Sequence, residues 1–144
     1  MTAATMAGAE NEIEALFRAA WILAGYPAAN IEYKNKAFGK PATGGTIWSR
    51  FEIGYAGGPT RTLGGVTGKA RRARVGSVLV TLHSPLGSAT ALARGLVEMT
   101  IRAYEGKRTA SGAVFRDPHE VSSGSDGVWW QSIVSVDFEY HQLT

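Results

Sequence analysis

The chain has 144 residues, 44% of them hydrophobic, and a formal net charge of +3, which is enough apolar material for one cored domain and excludes wholesale disorder. It has no cysteine, which excludes disulfides, thiolate zinc sites and a cysteine nucleophile, and fits a reducing cytoplasm. Met1 to Gly8 carries no basic start, so no signal peptide is expected, and nothing approaches the roughly 20 apolar residues that cross a membrane.

A single domain over residues 1–144 is expected, with residues 1–9 flexible. Ile13, Leu16, Phe17, Ala20, Trp21 and Ala24 recur at helical spacing, which predicts an amphipathic helix over 10–24. Glu10, Glu12 and Glu14 would then crowd its first turn, where negative charge suits the helix dipole. Gly25-Tyr26-Pro27 is the stop. A short extended segment is expected near Asn30–Lys34, followed by a turn-rich stretch to Gly45. Thr46 to Tyr55 alternates: Ile47, Ser49, Phe51, Ile53 and Tyr55 share one face, Trp48, Arg50 and Glu52 the other. Residues 54–70 are glycine-rich and read as a long loop or hairpin arm.

Arg71 to Leu82 reads as a strand with apolar residues on both faces, hence a central one. His83 to Gly87 is a tight connection, and Ser88 is positioned to cap a second helix running to Tyr104. Ala113 to Val121 holds one or two short strands, Ser122 to Gly127 a turn. Val128 to His141 is the cleanest strand, with Val128, Trp130, Val134, Val136, Phe138 and Tyr140 on its apolar face. The predicted fold class is α+β: a mostly antiparallel sheet with both helices on one face, plus the glycine-rich arm.

The tests for chemistry return little. Gly64-Gly65-Val66-Thr67-Gly68-Lys69 has Leu63 where a phosphate loop needs its first glycine, and Ala70 where it needs Ser or Thr. His83, His119 and His141 are isolated, without ligand spacing, so no metal and no cofactor are expected. No serine sits in a nucleophile elbow, and the acids fall on polar faces and turns, so no catalytic residues are assigned and the chain reads as a non-enzyme.

Charge and aromatic placement are more informative. Residues 34–74 hold nine Lys or Arg and one acid, Glu52, while the other acids, Glu32 apart, collect in the first helix and the last third of the chain. One basic side could meet nucleic acid, an acidic protein or a neighbouring copy. Trp48, Trp129 and Ile133 would lie on the sheet face away from the helices, where a large apolar group needs cover. Either the 54–70 loop or a partner provides it. The candidate interface residues are therefore Trp48, Arg50, Lys69, Arg71, Arg72, Arg74, Trp129 and Ile133.

Several short motifs occur in a telling order: Phe38-Gly39-Lys40-Pro41, Trp48-Ser49-Arg50, Arg71-Arg72-Ala73-Arg74-Val75-Gly76-Ser77-Val78-Leu79-Val80, Ser84-Pro85-Leu86-Gly87 and Gly127-Val128-Trp129-Trp130. With that order the chain resembles the tail terminator proteins of long-tailed phages, the lambda U-protein type. The resemblance implies a structural virion protein forming a ring, a homohexamer, that caps the tail tube, stops its polymerisation and offers the head-joining surface. It implies as partners further copies of the chain, the tail tube protein and the head–tail connector protein, with genome DNA passing the lumen without specific binding. The implied location is the head–tail junction of the virion, after assembly in the host cytoplasm. A head-completion or connector protein and a nucleic-acid-binding accessory domain using Arg71, Arg72 and Arg74 remain alternatives.

Overall fold

The computed structural model describes residues 5–34, 36, 38–39, 46–56, 71–87 and 90–143, with the backbone alone for Arg71 and Leu143. The elements are α1 (Met6–Leu23), a 3-10 turn (Ala28–Asn30), β1 (Ile31–Tyr33), β2 (Trp48–Tyr55), β3 (Arg71–Pro85), α2 (Thr90–Tyr104), β4 (Val114–Ser125) and β5 (Trp129–Leu143). Lys69, residues 57–70 of the glycine-rich segment, Ser88, and Lys40-Pro41 lie outside the described residues.

Helix α1 begins earlier than its periodicity indicates. Thr5 caps it, its Oγ1 accepting from the Gly8 N–H at 3.0 Å, so residues 5–9 are not a flexible lead-in; Ala9 is already fully buried. The first turn holds no acid, and Glu10, Glu12 and Glu14 fall beyond it. The dipole argument for them therefore lapses. Glu14 pairs with Arg18 at 3.2 Å, and Glu12 accepts the Ser111 N–H at 3.1 Å.

The strands make one sheet in the order β1-β2-β3-β5-β4. All pairs are antiparallel except β1 with β2, which run parallel with Ile31 opposite Ser49. A parallel neighbour needs a long crossover, and residues 34–47 supply it. Strand β3 is central, as apolar residues on both its faces predict. Registers Phe51↔Val80 and Val80↔Val134 put Phe51, Val78, Val80, Val134 and Val136 on one face.

Both helices cover that face. Phe17 of α1 stacks on Phe51 at 5.9 Å, and Tyr104 of α2 meets Phe115 of β4 at 4.9 Å. Tyr104 also donates its hydroxyl to the Ile13 carbonyl at 2.9 Å, tying the helices together. Ile13, Phe17, Trp21, Leu82, Phe138 and Tyr140 are almost fully buried, each such side chain contributing about 1.5–3 kcal/mol by leaving water. α1 lies over the β1–β2 side, whereas α2 packs on β3, β5 and β4.

Strand β4 extends through Ser122 to Ser125, which the sequence reading placed in a turn. Register shifts after Arg116 and after Glu120 break its alternation, and Asp117 adopts φ 50 at the first of them. Such bulges, with Pro118 between, blunt an edge strand against unwanted pairing. The hairpin turn is Asp126 to Val128, with Gly127 at φ 97.

Candidate assembly surface

Residues far apart in the chain meet at one end of the sheet. Trp48 opens β2, His83 nears the end of β3, and Trp129 opens β5. All three point away from the helices, because register sets Trp48 opposite His83 and His83 opposite Gln131. The His83 ring lies flat on Trp48, centroids 3.6 Å apart and planes 1° apart. Trp129 meets Trp48 edge-on at 5.7 Å and 84°. Phe38 stacks on Trp48 at 5.5 Å.

A polar chain braces this cluster. Asp126 accepts the N–H groups of Trp129 (2.6 Å) and Val128 (2.8 Å), and the Gln131 side-chain amide at 3.1 Å. The same amide nitrogen reaches His83 Nε2 at 3.3 Å. Its two N–H groups thus serve both partners. The N–H groups of Trp129 and then Val128 hold the Asp126 carboxyl below the usual aspartate range.

Trp48 and Trp129 are buried, 4% and 2% exposed, and Trp129 Nε1 donates to the Thr46 carbonyl at 3.3 Å. The expectation that they stand open as partner anchors is corrected: the chain buries both itself, with Phe38 and Thr46 among the residues they touch. Ile133 is half-buried opposite Thr81. Arg50 is engaged within the chain, its guanidinium 2.7 Å from Glu52 and 3.5 Å from Glu32. A partner that took Arg50 would have to replace both acids.

The arginine segment opens the central strand β3 and so lies at an end of the sheet. Arg72 is half-buried opposite Gln142, and Arg74 donates through Nε to Gln142 Oε1 at 2.9 Å. Gly54 and Tyr55 belong to β2 and not to the loop.

The residue that the sequence reading missed is Trp130. It lies on the helix side of β5 opposite Ser84, where alternation assigns it to the core, yet it is 37% exposed. α2 starts at Thr90 and covers only part of it. Ser84, Pro85, Leu86, Gly87, Thr90, Ala93 and Trp130 line a groove of about 180 Å³ there. Leu86 (43%) and Val128 (47%) are exposed beside it. Position at the strand's first turn, beyond the helix's reach, was the available signal.

A larger depression of about 490 Å³ lies over Gly76 and Leu79. Its polar groups are satisfied by one another: Ser77 donates to Asp137 at 2.9 Å and Arg116 to Glu139 at 3.0 Å. No histidine is among its described lining residues, and the Ser77 hydroxyl is held by the Asp137 carboxylate. Among the described residues no group of three His, Asp or Glu could hold a metal ion, and no helix is long and apolar enough to cross a membrane.

No protein-family model matches the chain, and no curated protein matches it. Among solved structures it is similar to a protein whose name describes no function, with TM-score 0.60 and 17% identity over 91% of this chain and 94% of that one. That likeness concerns the fold.

Proposed function

We propose that this chain is a structural virion protein of the tail-terminator type, forming a ring that caps a tail tube, stops its growth and presents the surface that joins the head. The reading rests on the sequence resemblance, and one observation carries it into three dimensions. Residues from three motifs of the resemblance, Phe38, Trp48 and Trp129, converge in a single braced cluster, and Ser84 to Gly87 lies beside it at the same end of the sheet. A cluster built from distant motifs makes that end of the sheet rigid, which a docking face needs. A fold of two helices on one sheet face agrees with the resemblance.

The test adds purified protein to polymerising tail tubes of the phage or prophage concerned. Tubes of defined length with rings on one end, seen by electron microscopy, are the expected result. Unlimited tube growth with no bound protein rejects the reading. Tight, steeply salt-dependent DNA binding with no tube binding would select the nucleic-acid alternative instead.

A further inference from the structure

His83 is a buried titratable side chain, 4% exposed, with no part in the proposed capping. One face of its ring lies flat on Trp48, centroids 3.6 Å apart, and Trp129 meets it edge-on at 6.4 Å and 85°. The ring is clamped from two sides. Its protonation state follows from Gln131. The Asp126 carboxylate only accepts, so Gln131 must turn its amide nitrogen, and not its oxygen, to Asp126 at 3.1 Å. The same nitrogen lies 3.3 Å from His83 Nε2, and an amide nitrogen only donates. Nε2 must therefore accept, which leaves the ring proton on Nδ1. A second proton, on Nε2, would set N–H against N–H.

We infer that His83 is a proton-sensitive latch: neutral, it holds Gln131 and, through Gln131, the Asp126–Val128 turn against β3; protonated, it releases them. Gln131 is the part that yields. A positive ring over the indole of Trp48 is favourable, so the clamped imidazole stays in place, whereas Gln131 is only half-buried. Nor can Gln131 answer by turning its oxygen to the imidazolium, because that oxygen would then face the Asp126 carboxylate. Asp126 stays ionised throughout histidine's range, since the N–H groups of Trp129 and Val128 hold its carboxyl below the usual aspartate range.

The other elements packed around the ring bring no competing charge among the described residues. On this face β2 adds Arg50, whose charge Glu52 and Glu32 already meet. β5 adds Gln131 and Ile133, and β4 sets Gly124 opposite Gln131. Asp126 is the charged group that senses the ring. The turn it braces carries Val128 and leads into Trp130, both exposed, so a proton on His83 sets how firmly that end of the sheet is held. The inference rests on this brace alone and stands apart from tail capping.

The experiment is a pH titration of the isotope-labelled full chain by NMR. At high pH the His83 ring should show the Nδ1–H tautomer, the minor one of free histidine. As pH falls through histidine's range, about 6.5 when unperturbed, one transition should appear at a shared midpoint. It should be read by the His83 ring, the Gln131 side-chain amide and the backbone amides of Val128 and Trp129, above the titration of Asp126 and separate from it. Across that transition, exchange of the Asp126 amide, which is bonded to the Trp129 carbonyl at 3.0 Å, should rise beyond its intrinsic pH dependence by roughly two- to tenfold, the worth of one hydrogen bond. In Gln131→Leu, His83 should still titrate while the turn amides no longer follow it. In His83→Phe, which keeps a flat ring against Trp48, the transition should vanish; should that variant lower the melting temperature, Gln131→Leu carries the test. The inference is overturned by an Nε2–H tautomer at high pH, by a His83 that stays neutral until the chain unfolds, or by turn amides that follow His83 undiminished in Gln131→Leu.

Discussion

Gly76→Ala tests the geometry on which the open half of the sheet depends. Gly76 is buried in β3 opposite Tyr55 of β2 and Phe138 of β5. A Cβ added there would run into the Gly54 carbonyl oxygen and lie 2.8 Å from Phe138 Cζ. The first of these neighbours is backbone held in the β2–β3 ladder and cannot swing away. Forcing a methyl into a packed site costs about 1–3 kcal/mol, and a backbone neighbour argues for the upper end, about 3 kcal/mol. With a urea slope of about 2 kcal/mol/M, the unfolding midpoint should fall by roughly 1.5 M.

Gly54→Ala is the matched control. Its Cβ meets nothing within 4 Å, and alanine in a strand interior is favoured over glycine by roughly 0.5–1 kcal/mol. The two variants should therefore move in opposite directions, one glycine being required by space and its neighbour not. Equal midpoints, or a Gly76→Ala protein within about 0.5 kcal/mol of wild type, would refute the close approach of β2 and β3 at this point.

Tyr104→Phe removes the buried hydroxyl that reaches the Ile13 carbonyl and should cost about 1 kcal/mol in urea unfolding, because one hydrogen bond between the helices is lost with no cavity. Burial pushes the Tyr104 phenol well above its ordinary range, so alkaline titration followed by absorbance should leave it protonated until the protein unfolds. Asp126, with its lowered pKa, supports the folded state above the usual aspartate range, and that support is lost as pH falls through the lowered value. Acidification should accordingly shift the backbone amide N–H resonances of Trp129 and Val128, and Asp126→Asn should abolish that transition. An unchanged acid transition in the variant would assign it elsewhere.

How far the sequence could be read follows from what periodicity encodes. Ile13, Phe17 and Trp21, and the alternation of Val134, Val136, Phe138 and Tyr140, proclaim a helix face and a strand face, and all are buried. Periodicity assigns a face but does not say what covers it. Trp48 and Trp129 lie on the expected face, away from the helices, yet they are buried within the chain, touching Phe38 and Thr46 among others, contacts that no local pattern reveals. Trp130 fails in the opposite sense: its face is right, and the helix that should cover it stops short. The parallel pairing of β1 with β2 was hidden because three residues carry too little pattern, and β4 was hidden because two bulges interrupt its period.

The burial of Trp48 and Trp129 changes what a neighbour of the proposed kind would meet. With that cluster consumed inside the chain, what stays open at the same end of the sheet is Trp130, with Leu86 and Val128 exposed beside it. A partner docking at that end would therefore meet these three side chains and not the tryptophan pair on the opposite face.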